Sequence, residues 1–516
     1  MKKELKRKPR ISEQALRFAL IGTIFLLNFI LFLFIVNYGM QRMWIYMILN
    51  AIGVVTTILL IAGNGNPAYK TAWIVVIVAF PIFGICIYLI FGANMLKKAD
   101  INRLSRIEQK YAPTADMSVL SALNERSGNS SASAQAKYLH NVAKARAFDH
   151  TETKYYQIGE DLYQDLLNDL KKAKKFIFLE YFIIEKGVMW DSILQILTEK
   201  VQNGVDVRVI YDDMGCMFTL PPKYPKLLKS LGIKCLVFKR VTPVLSSGFN
   251  NRDHRKICVI DGEFAFTGGI NLADEYINAK KRFGHWLDCG VRLHGDAVSA
   301  FVAMFLSMWE FLSFKKGQSE DLLLPPSHFE EIQGDGIVIP YADSPCDDYP
   351  VGESSYLNLI SGAKKYVYIC TPYLAIGYEM ISALQRAAES GIDVRIMTPG
   401  VPDKPPVQSL SRSYYEVLVE SGVKIYEYTP GFVHSKTFVC DDEIAICGTI
   451  NLDFRSLCLH HECAVWMFKS SAVSDIKSSF LSNLKLCEEI TLEKCYKTPL
   501  YKQIFRLILR VFSPLL

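Results

Sequence analysis

Apolar residues gather in three uninterrupted runs before about residue 95, and beyond them short β-branched runs alternate with helical periodicity. The runs extend roughly from Phe18 to Val36, Trp44 to Ala62 and Ala72 to Phe91, and none holds a charged residue. Each approaches the roughly 20 residues a helix needs to cross a hydrocarbon core. They are too long and too many for a cleaved leader, so amino-terminal membrane helices are expected within residues 1–95. Pro81 and Gly84 interrupt the third run, so two or three apolar helices are expected: either one run is re-entrant or interfacial and two cross, or all three span. The segment SGNSSASAQA, Ser127 to Ala136, reads as a loop, and residues 96–140 as a linker. Past it, FIFLEYFII, VDVRVIYDD, YVYICTPYL and IDVRIM alternate with amphipathic stretches. That is the pattern of α/β units.

Composition sharpens this picture in two places. Hydrophobic residues make up 50% of the 516, and the net charge is +6. Lys2, Lys3, Lys6, Arg7, Lys8 and Arg10 precede the first apolar run, which favours an anionic bilayer surface. No Lys/Arg stripe of the kind that tracks nucleic acid follows elsewhere, and no nucleic-acid partner is expected. The 13 cysteines are odd in number and form no Cys-x-x-Cys pair, which points to free thiols in a reducing compartment. The last residues, Tyr501 to Leu516, are apolar with Lys502, Arg506 and Arg510 interspersed. They fit a surface helix on a bilayer or a terminal helix packed on the domain.

An internal repeat carries the chemistry. HRKICVIDGEFAFTGGIN starts at His254, and HSKTFVCDDEIAICGTIN starts at His434. Lys256 and Lys436 follow at +2, Asp261 and Asp441 at +7, Gly268 and Gly448 at +14, and Asn271 and Asn451 at +17. This five-residue template arises by chance at a given start on the order of once in several million. Matching strands precede each copy, GVDVRVIYDD and GIDVRIMTPG, so two similar α/β halves are expected at 141–325 and 326–516. Alternation along a strand puts His and Lys on one face, where they can converge on one ligand.

Two His, two Lys and two Asn suit a phosphodiester anion. Lys and Asn donate to its non-bridging oxygens, one imidazole attacks phosphorus, and the other protonates the departing alkoxide. Metal is not expected, since no carboxylate-rich ligand set is spaced for it and lysine at +2 opposes a cation. Each imidazole needs an acceptor to hold one tautomer. Asp288, 34 residues after His254, and Glu462, 28 after His434, are the candidates. Tyr373, Arg412, His285, His460 and His461 read mainly as ordinary packing or surface residues.

At these residues the chain resembles the phospholipase D superfamily, whose signature is a doubled H-x-K-x4-D followed by a glycine turn and asparagine. FLEYFIIEKG, FNNRDHRKICVIDG, FTGGINLADEYI, TPYL, YEYTPGFVHSKTFVCD, the third apolar run NPAYKTAWIVVIVAFPIFGICIYLIFG and the terminal VFSPLL make it most similar to bacterial cardiolipin synthases. The resemblance implies two halves in a pseudo-twofold arrangement, His254 as nucleophile, His434 as general acid and base, and Asp288 and Glu462 as histidine partners. It implies that Asp261 and Asp441 are structural, and that Thr449, where the first copy has Gly269, can donate to phosphate. The implied reaction takes two phosphatidylglycerols to cardiolipin and glycerol through a phosphohistidine, without a cofactor. The implied setting is a bacterial cell membrane, with a multi-pass anchor and a cytosolic catalytic region. A phospholipase D releasing phosphatidic acid would use the same residues. A nucleic-acid phosphodiesterase and a non-catalytic scaffold fit less well, given the apolar runs and two intact motifs.

Overall fold

Isoleucine-, valine- and phenylalanine-rich runs form two mixed sheets in a computed structural model. It describes residues 43–63, 66–92, 98–112, 118–127, 130–240, 250–313, 331–346 and 349–515, with Leu33, 322 and 323 besides. These fall in two units, one within residues 1–95 and one comprising 96–240 and 250–516.

In the amino-terminal unit the second apolar run is a helix, Met43–Ala62. Asn66 caps the next, Pro67–Ala79, by accepting the Ala68 N–H at 2.9 Å, and Pro67 occupies the first turn, where its missing N–H is harmless. Pro81 cannot continue that helix. The third run therefore breaks at Phe80 into Pro67–Ala79 and Pro81–Ile87, followed by a π-helical turn at Tyr88–Gly92. No helix among the described residues is long and apolar enough to cross a membrane. Apart from Leu33, the first run lies outside the described residues.

The larger unit holds a seven-stranded and an eight-stranded sheet. The first comprises β1 (Thr151–Tyr156), β2 (Phe176–Tyr181), β3 (Asp206–Asp212), β4 (Lys234–Phe238), β5 (Lys256–Ile260), β6 (Phe264–Gly268) and β7 (Gly290–Gly295). The second comprises β8 (Ile337–Asp343), β9 (Tyr366–Cys370), β10 (Asp393–Pro399), β11 (Lys424–Tyr428), β12 (Thr437–Cys440), β13 (Ile444–Gly448), β14 (Glu462–Phe468) and β15 (Cys487–Ile490). Their orders, β1-β7-β6-β5-β2-β3-β4 and β8-β14-β13-β12-β9-β10-β11-β15, correspond strand for strand, with β15 the extra edge. The fold is thus mixed α/β with two sheets of like topology. Helix Val298–Ser313 and both sheets share one core, to which Phe301 and Phe305 of the helix, Val259 and Val291 of the first sheet and Val439 and Val465 of the second belong.

Ser127–Ala136 is not the loop its composition predicts. A helix spans Ser130–Ala143, with Ala132, Ser133 and Ala136 buried in the core of the second sheet. Small residues that read as a linker are here what allows close helix approach. A side chain added at Gly362 would come within 1.9 Å of Ser131 Oγ.

Candidate active site

Each motif histidine stands just ahead of a central strand, and its backbone is tied to the opposite half. His254 N–H donates to His461 O at 2.9 Å, and His434 N–H donates to Leu287 O at 2.7 Å. The next residues after those acceptors are Glu462 and Asp288. This register crosses the carboxylates over. His254 Nδ1 lies 2.9 and 3.0 Å from the two oxygens of Glu462, and His434 Nδ1 lies 2.8 Å from Asp288 Oδ2. Each histidine is held by the other half.

Both carboxylates are fully buried and have further donors. Ser456 Oγ donates to Glu462 at 2.6 Å, and Thr449 Oγ1 donates to its other oxygen. Trp286 Nε1 and the Cys289 N–H donate to Asp288 at 3.1 and 2.8 Å. The Gly269/Thr449 difference follows from the carboxylates' lengths. Asp288 is one methylene shorter, so the backbone closes on it. A Cβ at Gly269 would sit 1.9 Å from Asp288 Oδ1 and 2.8 Å from His434 O. Opposite the longer Glu462 there is room for Thr449, whose hydroxyl is directed at the carboxylate.

Burial, opposed by Glu462 and reinforced by Lys256, pushes the His254 imidazole down to about 3. Burial together with Lys436 pushes His434 down to about 4, against Asp288. Burial alone would raise both carboxyls. The contacts of Glu462 with His254 and His460, and of Asp288 with His434, Lys436 and the Cys289 N–H, outweigh it and hold both below their usual range. At neutral pH the imidazoles are therefore neutral. Each gives its Nδ1–H to an ionised carboxylate and keeps a lone pair on Nε2. Lys256 and Lys436 are also buried, and each donates to the carbonyl of its own histidine, Lys256 at 2.7 Å. Burial brings the Lys256 ammonium down to about 7 and lowers Lys436 as well.

The remaining motif residues divide. Asp261 accepts the N–H groups of Lys174, Lys175 and Phe176 at 2.6–2.8 Å, and Asp441 those of Lys364, Lys365 and Tyr366 at 2.6–3.0 Å. Both clamp the entry of a central strand and make no bond to the histidines. Gly268, at φ +144°, lies where a Cβ would strike Cys289 O at 2.3 Å, and one on Gly448 would strike Ala464 at 2.5 Å. Asn271 is occupied: it accepts the Ile183 N–H at 3.1 Å and donates to Tyr276 Oη at 2.8 Å. Asn451 Oδ1 is buried with no partner among the described residues.

Rings wall the histidines. Phe182 lies edge-on to His254 at 5.1 Å, and Tyr276 and Trp286 lie 5.4 Å from His434. His460 is not the bystander the sequence implies: its ring is 5.6 Å from His254 and its Nδ1 is 3.7 Å from Glu462. One donor atom each from His254, His460 and Glu462 lies within 4.8 Å of the others, a set a metal ion can use, although the adjacent Lys256 opposes a cation. His461, also read as ordinary, supplies the backbone bond that sets the register. Arg412 is engaged by Glu427 at 2.6 and 2.8 Å, and Tyr373 donates to Asp403 at 2.6 Å.

The family model described as "Cardiolipin synthase, PLD-like domain" matches residues 166–309 and 356–484, over half of the chain. The chain belongs to the cardiolipin synthase family. A second model, "Phospholipase_D-nuclease N-terminal", matches residues 48–92. Among relatives, a cardiolipin synthase of Geobacillus sp. (strain WCH70) is 34% identical over 88% of this chain and 90% of its own. One of Halalkalibacterium halodurans is 32% identical over 95% and 99%. The solved phosphatidylserine synthase of Haemophilus influenzae superposes with a TM-score of 0.55 at 14% identity, covering 74% of this chain and 97% of that one, a likeness of fold. Within the family signature, Thr449, Ser456 and Trp286 escaped the sequence reading as carboxylate donors. The only cue was position, Thr449 falling at the variable place of the glycine turn and Trp286 two residues before Asp288.

Proposed function

We propose that this cardiolipin synthase-family chain transfers a phosphatidyl group between two phosphatidylglycerol molecules through a covalent phosphohistidine. The observation that carries the reading is the crossed pair of imidazoles, each with Nδ1 on a buried carboxylate of the other half.

In the first step His254 Nε2 attacks phosphorus, the bond to glycerol oxygen breaks, and His434 Nε2 delivers a proton to that oxygen. The charges of Lys256 and Lys436 balance those of Asp288 and Glu462. An arriving phosphodiester anion therefore makes the site negative, and His434 Nε2 takes up one proton from solvent as it binds. Lys256, Lys436 and the Asn451 amide face the non-bridging oxygens, while Asn271 holds Tyr276 against His434. In the second step the terminal hydroxyl of another phosphatidylglycerol gives its proton to His434 and attacks phosphorus. The P–N bond breaks, releasing cardiolipin and restoring neutral His254. One phosphodiester replaces another, so no nucleotide is consumed.

The proposed organisation is an apolar multi-pass anchor at 1–95 and halves at 141–325 and 326–516 related by a pseudo-twofold axis, with the helices of 98–140 packed onto them and the catalytic region on the cytosolic side. The apolar runs and their basic flanks support the anchor, and the matching strand orders support the halves. The test is lipid product analysis of the full chain in membranes with labelled phosphatidylglycerol, beside His254→Ala. Cardiolipin and glycerol lost in the variant support transfer; phosphatidic acid in place of cardiolipin overturns it in favour of hydrolysis.

A further inference from the structure

The helix Leu500–Val511 is amphipathic in an inverted sense. Arg506, Leu509 and Arg510, spaced i, i+3, i+4, are its more covered positions, whereas Leu500, Ile504, Leu507, Ile508 and Val511 form one exposed stripe. Leu500 is 71% exposed and Leu507 61%. The basic side is fastened to the second half. Arg510 stacks over Tyr414 at 4.7 Å and reaches Ser413 O, Tyr414 Oη donates to Ser513 Oγ at 3.1 Å, and Arg455 reaches Leu515 O. The apolar face is thus held outward by specific bonds, when burying it would have been the ordinary way to dock a terminal helix.

We infer that this face is a second membrane contact, which lies in the plane of an anionic lipid surface and holds the catalytic unit against it. Twelve residues make about 18 Å of helix, too short to cross a bilayer and suited to its interface. After Glu493 the chain has no acidic residue; Lys494 and Lys497 are paired with Glu488 and Glu493, so the positive charge offered to lipid comes from Lys502 and the two arginines. Lys502 is exposed on the flank of Tyr501 and Phe505, where its ammonium can meet headgroup phosphate. Tyr501 and Phe505 are exposed along the edge of the same face, the residue types that settle at headgroup level. A second copy of the chain would bring the same positive charge to the contact.

The full chain carrying Leu507→Trp, reconstituted in vesicles of phosphatidylcholine and phosphatidylglycerol, reads the helix alone through its fluorescence difference from the unsubstituted chain. Brominated lipid should quench that signal by at least half, and aqueous iodide should leave it unchanged. Quenching by iodide instead, or by neither agent as under a protein partner or the chain's own anchor, overturns the inference. The second arm rests on the transfer reading. Ile504→Glu/Ile508→Glu should lower cardiolipin formation in vesicles at least tenfold and leave it unchanged with short-chain phosphatidylglycerol in detergent. Equal loss in both media, or none, overturns the docking role. A wild-type chain that makes no cardiolipin in either medium counts against the transfer reading, and lipid quenching still decides the helix.

Discussion

Glu462 and Asp288 bind histidines of the opposite half, so under the proposed mechanism their variants should separate the two chemical steps. With a phosphatidyl ester of p-nitrophenol, whose leaving group needs no acid, Asp288→Asn and His434→Ala should still release nitrophenol in a burst and then stall. Glu462→Gln should lose the burst itself, by about 10²–10⁴-fold; the reverse pattern in rapid-quench kinetics would exchange the roles of the histidines. The lysines set the alkaline side. Lys256 loses its charge as pH rises through about 7, so kcat/KM should fall above that value, and Lys256→Arg should move the limb upward by more than one pH unit. The repeat made His254, Lys256, His434 and Lys436 legible, and the strand-like runs offered Asp288 and Glu462 as candidates. The crossing was not legible, because it depends on which backbone carbonyl each histidine N–H finds. Thr449 was legible as a hydroxyl near the site, but its target, the carboxylate, depends on the extra methylene of Glu462.

At the scale of strands and turns, the motif residues that avoid the histidines position the ones that matter. Asp261→Ala frees three backbone N–H groups and should cost about 2–4 kcal/mol of stability. In denaturant titrations the midpoint should drop, while activity per folded molecule stays within a few-fold of wild type; a thousandfold fall in a folded protein would assign Asp261 to the chemistry. Gly269→Ala should be worse for catalysis than for folding, since its Cβ would displace Asp288 and the His434 carbonyl. Strand alternation and the Pro81 break followed from composition. The helix Ser130–Ala143 did not, because its alanines and serines are chosen for closeness to the second sheet, and a stretch of small polar residues looks the same when it is a linker.

For the molecule as a whole, the same burial that lowers both imidazoles should make the larger unit sensitive to acid. Both histidines have folded values below the free imidazole's, so as pH falls below about 6.5 the unfolded chain takes up protons first. Stability contributed above 6.5 should be lost progressively down to about 3–4, where the folded imidazoles also protonate. Thermal melts in detergent from pH 7 to pH 4 should show this decline, lessened in His254→Asn; an identical slope in the variant would place the acid sensitivity elsewhere. The two-sheet architecture was legible from the duplicated motif and its matching strands. The outward apolar face of the last helix was left undecided, because sequence periodicity shows that such a face exists but not which way it is turned.

The central claim is the bond between His254 and phosphorus. Mass spectrometry of enzyme quenched during turnover of labelled phosphatidylglycerol should find an acid-labile phosphatidyl group on the peptide containing His254, absent in His254→Ala. The same label on the His434 peptide, or undiminished cardiolipin formation with neither peptide labelled, would contradict the account.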